Sequence, residues 1–321
     1  MSRTPVRGLV VPIFMAATSV CAQQPGTPAP AASPPAAVYV RPSPPGELVD
    51  IGGRRLHVEC KGTATGPTVV FEAGLSQFTA HSTYGKAQEL IASFAHVCVY
   101  DRAGLGWSDA APDPRTHEDM VDDLHRLLAA KRHAGPIVLV GHSIGGLLAR
   151  LYALRHPTDV LAVVLVDATA EAGLFTPPAT EERRGLVARM DAGLRIAKPG
   201  APVVAMPAGT SPEVMLAFTP EVIAGVKQEY EAIDRVPDAM RSATGYGTLG
   251  STPLTVIRRG RTATPPNAED VRWRTLQETL PALSSRSRLL VATEAGHVIP
   301  YDQPTIVADA VRQLLSPTRT P

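Results

Sequence analysis

The fold is decided by residues 137–146, which read IVLVGHSIGG. The first four residues form a short apolar run, mostly β-branched, that predicts a buried strand. The run leads directly into Gly-x-Ser-x-Gly, and the helix-forming stretch Leu147–Arg150 follows. A strand, a sharp turn and a helix in this order are the context in which the motif carries a nucleophilic serine. We therefore predict that Ser143 is a nucleophile, the alternative being an ordinary turn between a strand and a helix.

A serine nucleophile requires a general base, and the sequence offers one candidate in a suitable place. The base is expected to be a histidine, because its pKa allows it to take and return a proton near neutral pH. The chain has nine histidines, and His297 follows the predicted last strand in the sequence EAGH. A loop at that point returns toward the serine, so we predict His297 as the base. His142 is expected to point away from the serine side chain, and the other histidines have positions that need no function.

Apolar runs alternate with helical patterns over most of the chain, which predicts an α/β fold with a doubly wound, mostly parallel, eight-stranded sheet. The predicted strands are Glu47–Ile51, Arg54–Cys60, Thr68–Phe71, His96–Tyr100, Ile137–Val140, Val160–Val166, Leu254–Ile257 and Arg288–Ala292. Residues 170–250 interrupt the alternation, with Pro, Gly and short helical pieces. We interpret them as a helical lid inserted after the sixth strand.

The N-terminus is typical of an export signal. Arg3 and Arg7 precede an apolar stretch over residues 9–20, which is short for a membrane span. Small residues then favour cleavage after Ala22, and we predict a periplasmic or secreted protein. The alternatives are a retained membrane anchor and a lipoprotein modified at Cys21.

This interpretation divides the chain into three segments. Residues 1–22 are the predicted signal peptide, and residues 23–46 are a Pro- and Ala-rich linker that buries too little apolar surface to fold. Residues 47–317 are the predicted folded domain. It contains Cys60 and Cys98, each in a predicted strand. We expect two buried free thiols, with a disulfide formed after export as the alternative.

The composition excludes several classes of partner. The chain has 31 Lys and Arg against 30 Asp and Glu, so its net charge of +1 argues against nucleic acid or an anionic membrane as the main partner. No metal-ligand spacing and no glycine-rich phosphate loop stands out. We therefore expect no metal and no cofactor, and the sequence leaves the oligomeric state open.

A second motif, YDRAGLGWS, occupies residues 100–108. It resembles the Asp-Arg-x-Gly-x-Gly-x-Ser segment of the α/β-hydrolase fold superfamily. Together with the serine motif and the late histidine, it makes the resemblance to that superfamily specific. The resemblance covers residues 47–315 apart from the lid. Within the second motif, we expect Asp101 and Arg102 to form an ion pair that braces a loop, rather than a substrate-binding pair.

The resemblance also implies an oxyanion hole made of two backbone N–H groups. Ile144, the residue after the nucleophile, supplies one. The other comes from the loop after the third strand, where Leu75 is the natural candidate. The superfamily usually has His-Gly in this loop, but this chain has Ala73-Gly74. Glu72 is a further departure, and both a salt bridge and a substrate contact stay open for it.

The acid that orients the histidine has candidates at two places in the sequence. In most of the superfamily it follows the seventh strand, but here no carboxylate follows that strand until Glu269 and Asp270, at a predicted helix start. Asp167 ends the sixth strand, where some members carry their acid. We predict Asp167, with Asp270 or Glu269 as the alternative.

The resemblance implies a secreted serine hydrolase that acts on a small carboxylic ester, or a related acyl compound, through an acyl-enzyme. Other chemistry on the same fold stays open: a cofactor-free peroxidase, a carbon–carbon hydrolase, an amidase, an acyltransferase or a catalytically silent ligand-binding protein. An apolar substrate is suggested by the apolar residues of the predicted lid, although core packing explains them equally well. These residues are Leu174, Phe175, Met190, Met206, Met215 and Phe218.

Overall fold

The structure is a computed structural model that describes most of the chain from Tyr39 onward. The described residues are 39–63, 66–75, 78–133, 135–198, 202–204, 207, 209–236 and 247–316. They all belong to one folding unit that begins at Tyr39. The predicted signal peptide and most of the predicted linker therefore lie outside the described residues.

Eight strands form a single sheet in the order β1-β2-β4-β3-β5-β6-β7-β8. β1 pairs with β2, and β2 with β4, in antiparallel fashion, and all other neighbours are parallel. The strands are β1 (Glu47–Asp50), β2 (Arg55–Lys61), β3 (Val69–Glu72), β4 (Val97–Tyr100), β5 (Ile137–His142), β6 (Val160–Val166), β7 (Leu254–Arg259) and β8 (Ser287–Ala292). The predicted doubly wound, mostly parallel sheet is confirmed.

Helices cover both faces of the sheet, which explains why its central strands are apolar throughout. In β5, Val138 and Val140 face one apolar cluster, whereas Ile137 and Leu139 face the other. The helices outside the interval between β6 and β7 are α1 (Ala80–Ala92), α2 (His117–Ala130), α3 (Ile144–Arg155), α8 (Ala268–Thr279), α9 (Ile299–Asp302) and α10 (Pro304–Leu315). Within the described part of the chain, no helix is both long enough and apolar enough to cross a membrane.

The interval between β6 and β7, residues 167–253, is called the insertion here. Its described helices are α4 (Glu171–Leu174), α5 (Pro177–Ile196), α6 (Pro212–Leu216) and α7 (Pro220–Asp234). Met190 is buried in an apolar cluster that the insertion forms with Leu105 and Trp107, whereas Leu174 and Phe175 pack against the main core. Packing therefore accounts for these three of the predicted pocket residues, and Met206 lies outside the described residues.

Cys60 and Cys98 form a disulfide, so the expectation of two free thiols is wrong. The reason is the register of β2 against β4. These strands are antiparallel, and Cys60 lies directly opposite Cys98. Side chains directly opposite each other project from the same face of a sheet at short distance. The sequence alone does not fix this register.

We expect the disulfide to stabilise the fold by roughly 2–4 kcal/mol, because it closes a loop of 38 residues in the unfolded chain. The double variant Cys60→Ser/Cys98→Ser should lose that amount of unfolding free energy, measured by urea denaturation. Adding reductant to the wild-type protein before unfolding should produce a similar loss and leave the variant unchanged. Equal stability of variant and oxidised wild type would contradict the prediction.

Candidate active site

Ser143 lies on a strained turn between β5 and α3. Its backbone angles are φ 54° and ψ −125°, outside the regions that non-glycine residues normally occupy. The turn is held by close backbone contacts that leave no room for side chains. A Cβ on Gly141 would lie 2.6 Å from the Gly145 carbonyl oxygen, and one on Gly145 would lie 2.2 Å from the Glu72 carbonyl oxygen. The glycines of the motif are therefore required by sterics.

Three predicted residues meet in one hydrogen-bonded chain. His297, in the loop after β8, has its Nε2 3.0 Å from Ser143 Oγ. Its Nδ1 lies 2.7 Å from Asp167 Oδ2, at the end of β6. Since an ionised carboxylate only accepts hydrogen bonds, Nδ1 carries the proton, and Nε2 accepts from the serine hydroxyl. The structure thus brings Ser143, His297 and Asp167 together in the arrangement that activates a serine.

The environment of Asp167 favours its ionised form. Burial by itself raises the pKa of this carboxyl, whereas the hydrogen bond and charge of His297 lower it. The backbone N–H of Arg259 also donates to Asp167 Oδ1 at 2.9 Å. The net result is a pKa of Asp167 below its ordinary value. A carboxylate that stays charged holds the imidazole in one tautomer and stabilises its protonated form.

The alternative acids have other partners. Asp270 accepts hydrogen bonds from Ala263 and Asn267, and its Oδ1 lies 3.5 Å from Arg259 Nη2. It is part of a capping box at the start of α8, as acidic residues at a helix start often are. Glu269 pairs with Arg272 on the same helix, largely exposed. No hydrogen bond joins either carboxylate to His297 among the described residues.

The two predicted oxyanion donors belong to segments that contact Ser143 or directly follow it. Ile144 is the first residue of α3, so its N–H has no partner within the helix. Leu75 follows Gly74, and a Cβ on Gly74 would lie 3.2 Å from Ser143 Cβ, so this loop lies against the serine. Within the described part of the chain, neither N–H donates a hydrogen bond. Their role in binding an oxyanion stays a prediction.

Asp101 and Arg102 do not form the predicted ion pair. Asp101 accepts hydrogen bonds from the backbone N–H groups of Ala80 and Trp107, and it contacts His57. Arg102 instead binds carboxylates from two other elements. Both side chains are buried, which agrees with a bracing role. The partners of each residue differ from the predicted ones, since neither residue pairs with the other.

Glu72 is one of those carboxylates. Its side chain is buried, binds Arg102 at 3.0 Å and accepts a hydrogen bond from the Tyr100 hydroxyl. Of the two interpretations left open by the sequence, these contacts favour the salt bridge.

His142 has a supporting role that the sequence did not indicate. Its Nε2–H donates to the backbone carbonyl of His297 at 2.9 Å, so its Nδ1 accepts from the Tyr84 hydroxyl at 3.1 Å. Tyr84 in turn accepts from the Gly74 N–H at 2.7 Å. This chain connects the loop of Leu75 to the loop of His297. Tyr84 and His142 are 58 residues apart in the sequence, and His142 and His297 are 155 residues apart. A local sequence pattern therefore does not reveal these hydrogen bonds.

Acid should destabilise the protein partly through His142. Burial, with a smaller contribution from the nearby charge of His297, lowers the pKa of His142 to about 3. As pH falls below about 6.5, the unfolded chain takes up a proton at His142 that the folded protein does not. Unfolding free energy therefore decreases, by up to about 1.4 kcal/mol per pH unit for this one group.

Replacing His142 by Gln should flatten that dependence between pH 6 and 4. Urea unfolding of wild type and variant across this range measures it, and parallel curves would contradict the assignment.

One group of side chains is of the types that bind metal ions, but its geometry does not suit the ligation of a single ion. His125, His156 and Asp159 offer ligand atoms within 4.8 Å of one another. The two imidazole rings are stacked 4.0 Å apart at an interplanar angle of 5°. Their in-plane lone pairs therefore do not converge on one point. A second group includes Cys60 and Cys98, whose sulfurs are already joined in the disulfide.

Comparison with known proteins agrees with this architecture. Residues 67–213 match the family model described as the alpha/beta hydrolase fold. The uncharacterized protein YqjL of Bacillus subtilis is 27% identical over 262 residues, which cover 81% of this chain and 88% of YqjL.

Two solved structures share the fold. A thermophilic esterase from Thermogutta terrifontis superposes with a TM-score of 0.61 at 23% identity, covering 84% of this chain and 98% of the esterase. The enol-lactonase from Burkholderia xenovorans LB400 has a TM-score of 0.60 at 20% identity, covering 84% and 99% of the two chains. With the sheet order and the serine turn, these matches show that the chain has the α/β-hydrolase fold.

Proposed function

We propose that this protein is a serine hydrolase that cleaves carboxylic esters through an acyl-enzyme. The observation that carries the proposal is the hydrogen-bonded chain from Ser143 Oγ through His297 to Asp167. A serine hydroxyl becomes a strong nucleophile when a base within hydrogen-bond reach accepts its proton. The strained turn supports the same conclusion, because backbone strain concentrates at functional sites.

The reaction follows from the geometry. Ser143 Oγ attacks the ester carbonyl carbon while its proton passes to His297 Nε2, and the carbonyl oxygen becomes an oxyanion. The N–H groups of Leu75 and Ile144 stabilise that charge, and Asp167 stabilises the imidazolium. The carbon–oxygen bond to the alcohol then breaks, and the alcohol leaves with the proton from His297. Water repeats the sequence on the acyl-enzyme, with His297 as base, and releases the acid and free Ser143.

The related structures favour ester-type bonds. An esterase and an enol-lactonase have the same fold, and a lactone is a cyclic ester. The 39% exposure of the His297 side chain leaves the reacting groups accessible to a small substrate. We therefore favour a small acyl compound as the substrate.

An acyl-chain series of p-nitrophenyl esters, from acetate to laurate, tests this function. The wild-type protein should release p-nitrophenolate, with a burst equal to the enzyme concentration wherever deacylation is slow. The Ser143→Ala variant, folded as judged by circular dichroism, should show no activity above background. Equal rates for both proteins, or no hydrolysis of any ester by the wild type, would contradict the proposal.

We also propose that the protein is exported, as residues 1–22 predict. The Cys60–Cys98 disulfide supports this proposal, because structural disulfides persist mainly in oxidising compartments. Expression of the full chain in a Gram-negative host should give a periplasmic protein that begins at Gln23. A full-length cytoplasmic protein, or a lipid-modified Cys21, would contradict it.

A further inference from the structure

Arg102 lies between the insertion and the loop that carries Leu75. It is 1% exposed, and all five of its N–H donors are engaged. Nε and Nη2 bind the two carboxylate oxygens of Glu229 at 2.6 and 2.7 Å. Nη1 binds Glu72 and the Ala73 carbonyl, and Nη2 also binds the Gly74 carbonyl at 3.1 Å. One buried cation therefore joins a helix of the insertion to three consecutive residues, the last of β3 and the first two of the loop that follows it.

The bond to Gly74 fixes the direction of the next N–H group. The Gly74 carbonyl and the Leu75 N–H belong to one planar, trans peptide unit, so they point in opposite directions. Because Arg102 holds the carbonyl, the N–H points away from Arg102. The preceding peptide unit is held at both ends, since its carbonyl accepts from Arg102 and its N–H donates to Tyr84. The orientation of the Leu75 donor is thus set by Arg102.

The other partner of Arg102 belongs to α7. Glu229 is buried, and it lies one turn after Gly225 on the same face of that helix. A Cβ on Gly225 would lie 2.2 Å from the carbonyl oxygen of Gly104, so α7 touches the loop after β4 directly by its backbone. Both contacts are on one side of the helix. They hold α7 in the position where Glu229 reaches Arg102.

We propose that Arg102 is a positioning residue that couples the seating of α7 on the domain to the orientation of the Leu75 oxyanion donor. This inference rests on the proposed function, because it gives Leu75 a role in stabilising an oxyanion. It adds that the insertion affects the chemical step through Glu229. A displaced α7 would release two of the five bonds that hold the guanidinium, and the loop would lose its fixed peptide orientation.

Two variants and one matched control test the coupling. Glu229→Gln keeps the size of the side chain but removes the charge and one of the two acceptor oxygens. Arg102→Lys keeps the charge but has three donors in place of five and no planar fork. The control is Glu171→Gln, which breaks another buried pair between the insertion and the core, with Arg150 at 2.8 Å. No bond joins that pair to the Leu75 loop within the described residues.

We expect kcat for ester hydrolysis to fall by roughly tenfold in Glu229→Gln and by roughly a hundredfold in Arg102→Lys, with KM within about threefold of wild type. Complete removal of an oxyanion donor typically lowers kcat by about 10²–10³, which sets the upper limit. An aryl trifluoromethyl ketone provides the specific measurement, because its adduct with serine carries an oxyanion. Its affinity should fall in proportion to kcat/KM in both variants and stay near the wild-type value in Glu171→Gln.

Hydrogen exchange gives a measurement that does not depend on activity. The Gly74 amide should exchange faster in Glu229→Gln than in wild type or Glu171→Gln, because its loop is no longer held. Equal effects of Glu229→Gln and Glu171→Gln on exchange and on ketone affinity would overturn the coupling. If the wild type hydrolyses no ester, the proposed function fails separately, and the exchange of the Gly74 amide still decides the coupling. Should Arg102→Lys not fold, Glu229→Gln alone carries the test.

Discussion

Replacing Asp167 by Asn should lower kcat by about ten-thousand-fold, while Asp270→Asn should change it by less than about threefold. The first substitution removes the carboxylate that accepts from His297 Nδ1 at 2.7 Å. An asparagine offers an N–H group there, which favours the wrong imidazole tautomer and leaves the imidazolium without its counter-charge. The second substitution affects a carboxylate that caps α8 and contacts Arg259.

The two carboxylates are a matched pair, because both contact the Arg259 guanidinium. A general loss of charge beside that arginine would therefore affect both variants alike. Steady-state kinetics on the best p-nitrophenyl ester measure kcat, and thermal unfolding confirms that each variant is folded. A larger loss in Asp270→Asn than in Asp167→Asn would transfer the acid role to Asp270.

Removing either Ser143 or His297 should lower kcat by about a million-fold, and removing both should lower it no further. The non-additivity follows from the geometry. His297 Nε2 lies 3.0 Å from Ser143 Oγ and acts on the substrate only after accepting the serine proton. Without the serine, the base has no proton to take, so its loss has no additional effect. The comparison uses Ser143→Ala, His297→Ala and the double variant at one pH.

A double variant far slower than either single variant would contradict this dependence, because it would indicate two independent contributions. Near-normal turnover in His297→Ala would assign the base role to another group. The uncatalysed hydrolysis rate of the same ester gives the lower limit against which all three variants are compared.

The sequence predicted which candidate residues lie close together where those residues stand at the ends of strands. Ser143 and Asp167 directly follow parallel strands, and His297 follows another within five residues. The carboxyl ends of parallel strands meet at one edge of the sheet, so local patterns are enough to bring these residues together. The choice of Asp167 depended on the lack of a carboxylate after β7. In the structure, β7 ends at Arg259, which donates to Asp167.

The contacts that the sequence did not predict join elements far apart in the chain. Arg102 and Glu229 are 127 residues apart, and their pairing depends on how α7 packs against the domain. The sequence placed Arg102 in a bracing motif but assigned it the adjacent Asp101. The disulfide depended in the same way on the register of β2 against β4. Local residue patterns determine strands, helices and turns, whereas these pairings are determined by tertiary packing.

The central claim is that Ser143 is the nucleophile of a serine hydrolase. Labelling with a fluorophosphonate, followed by proteolysis and mass spectrometry, tests it most directly, because the reagent reacts with activated serines. We expect one adduct per chain, located on Ser143, and strongly slowed labelling in His297→Ala. An adduct on another residue, or no adduct in a protein that hydrolyses esters, would contradict the account.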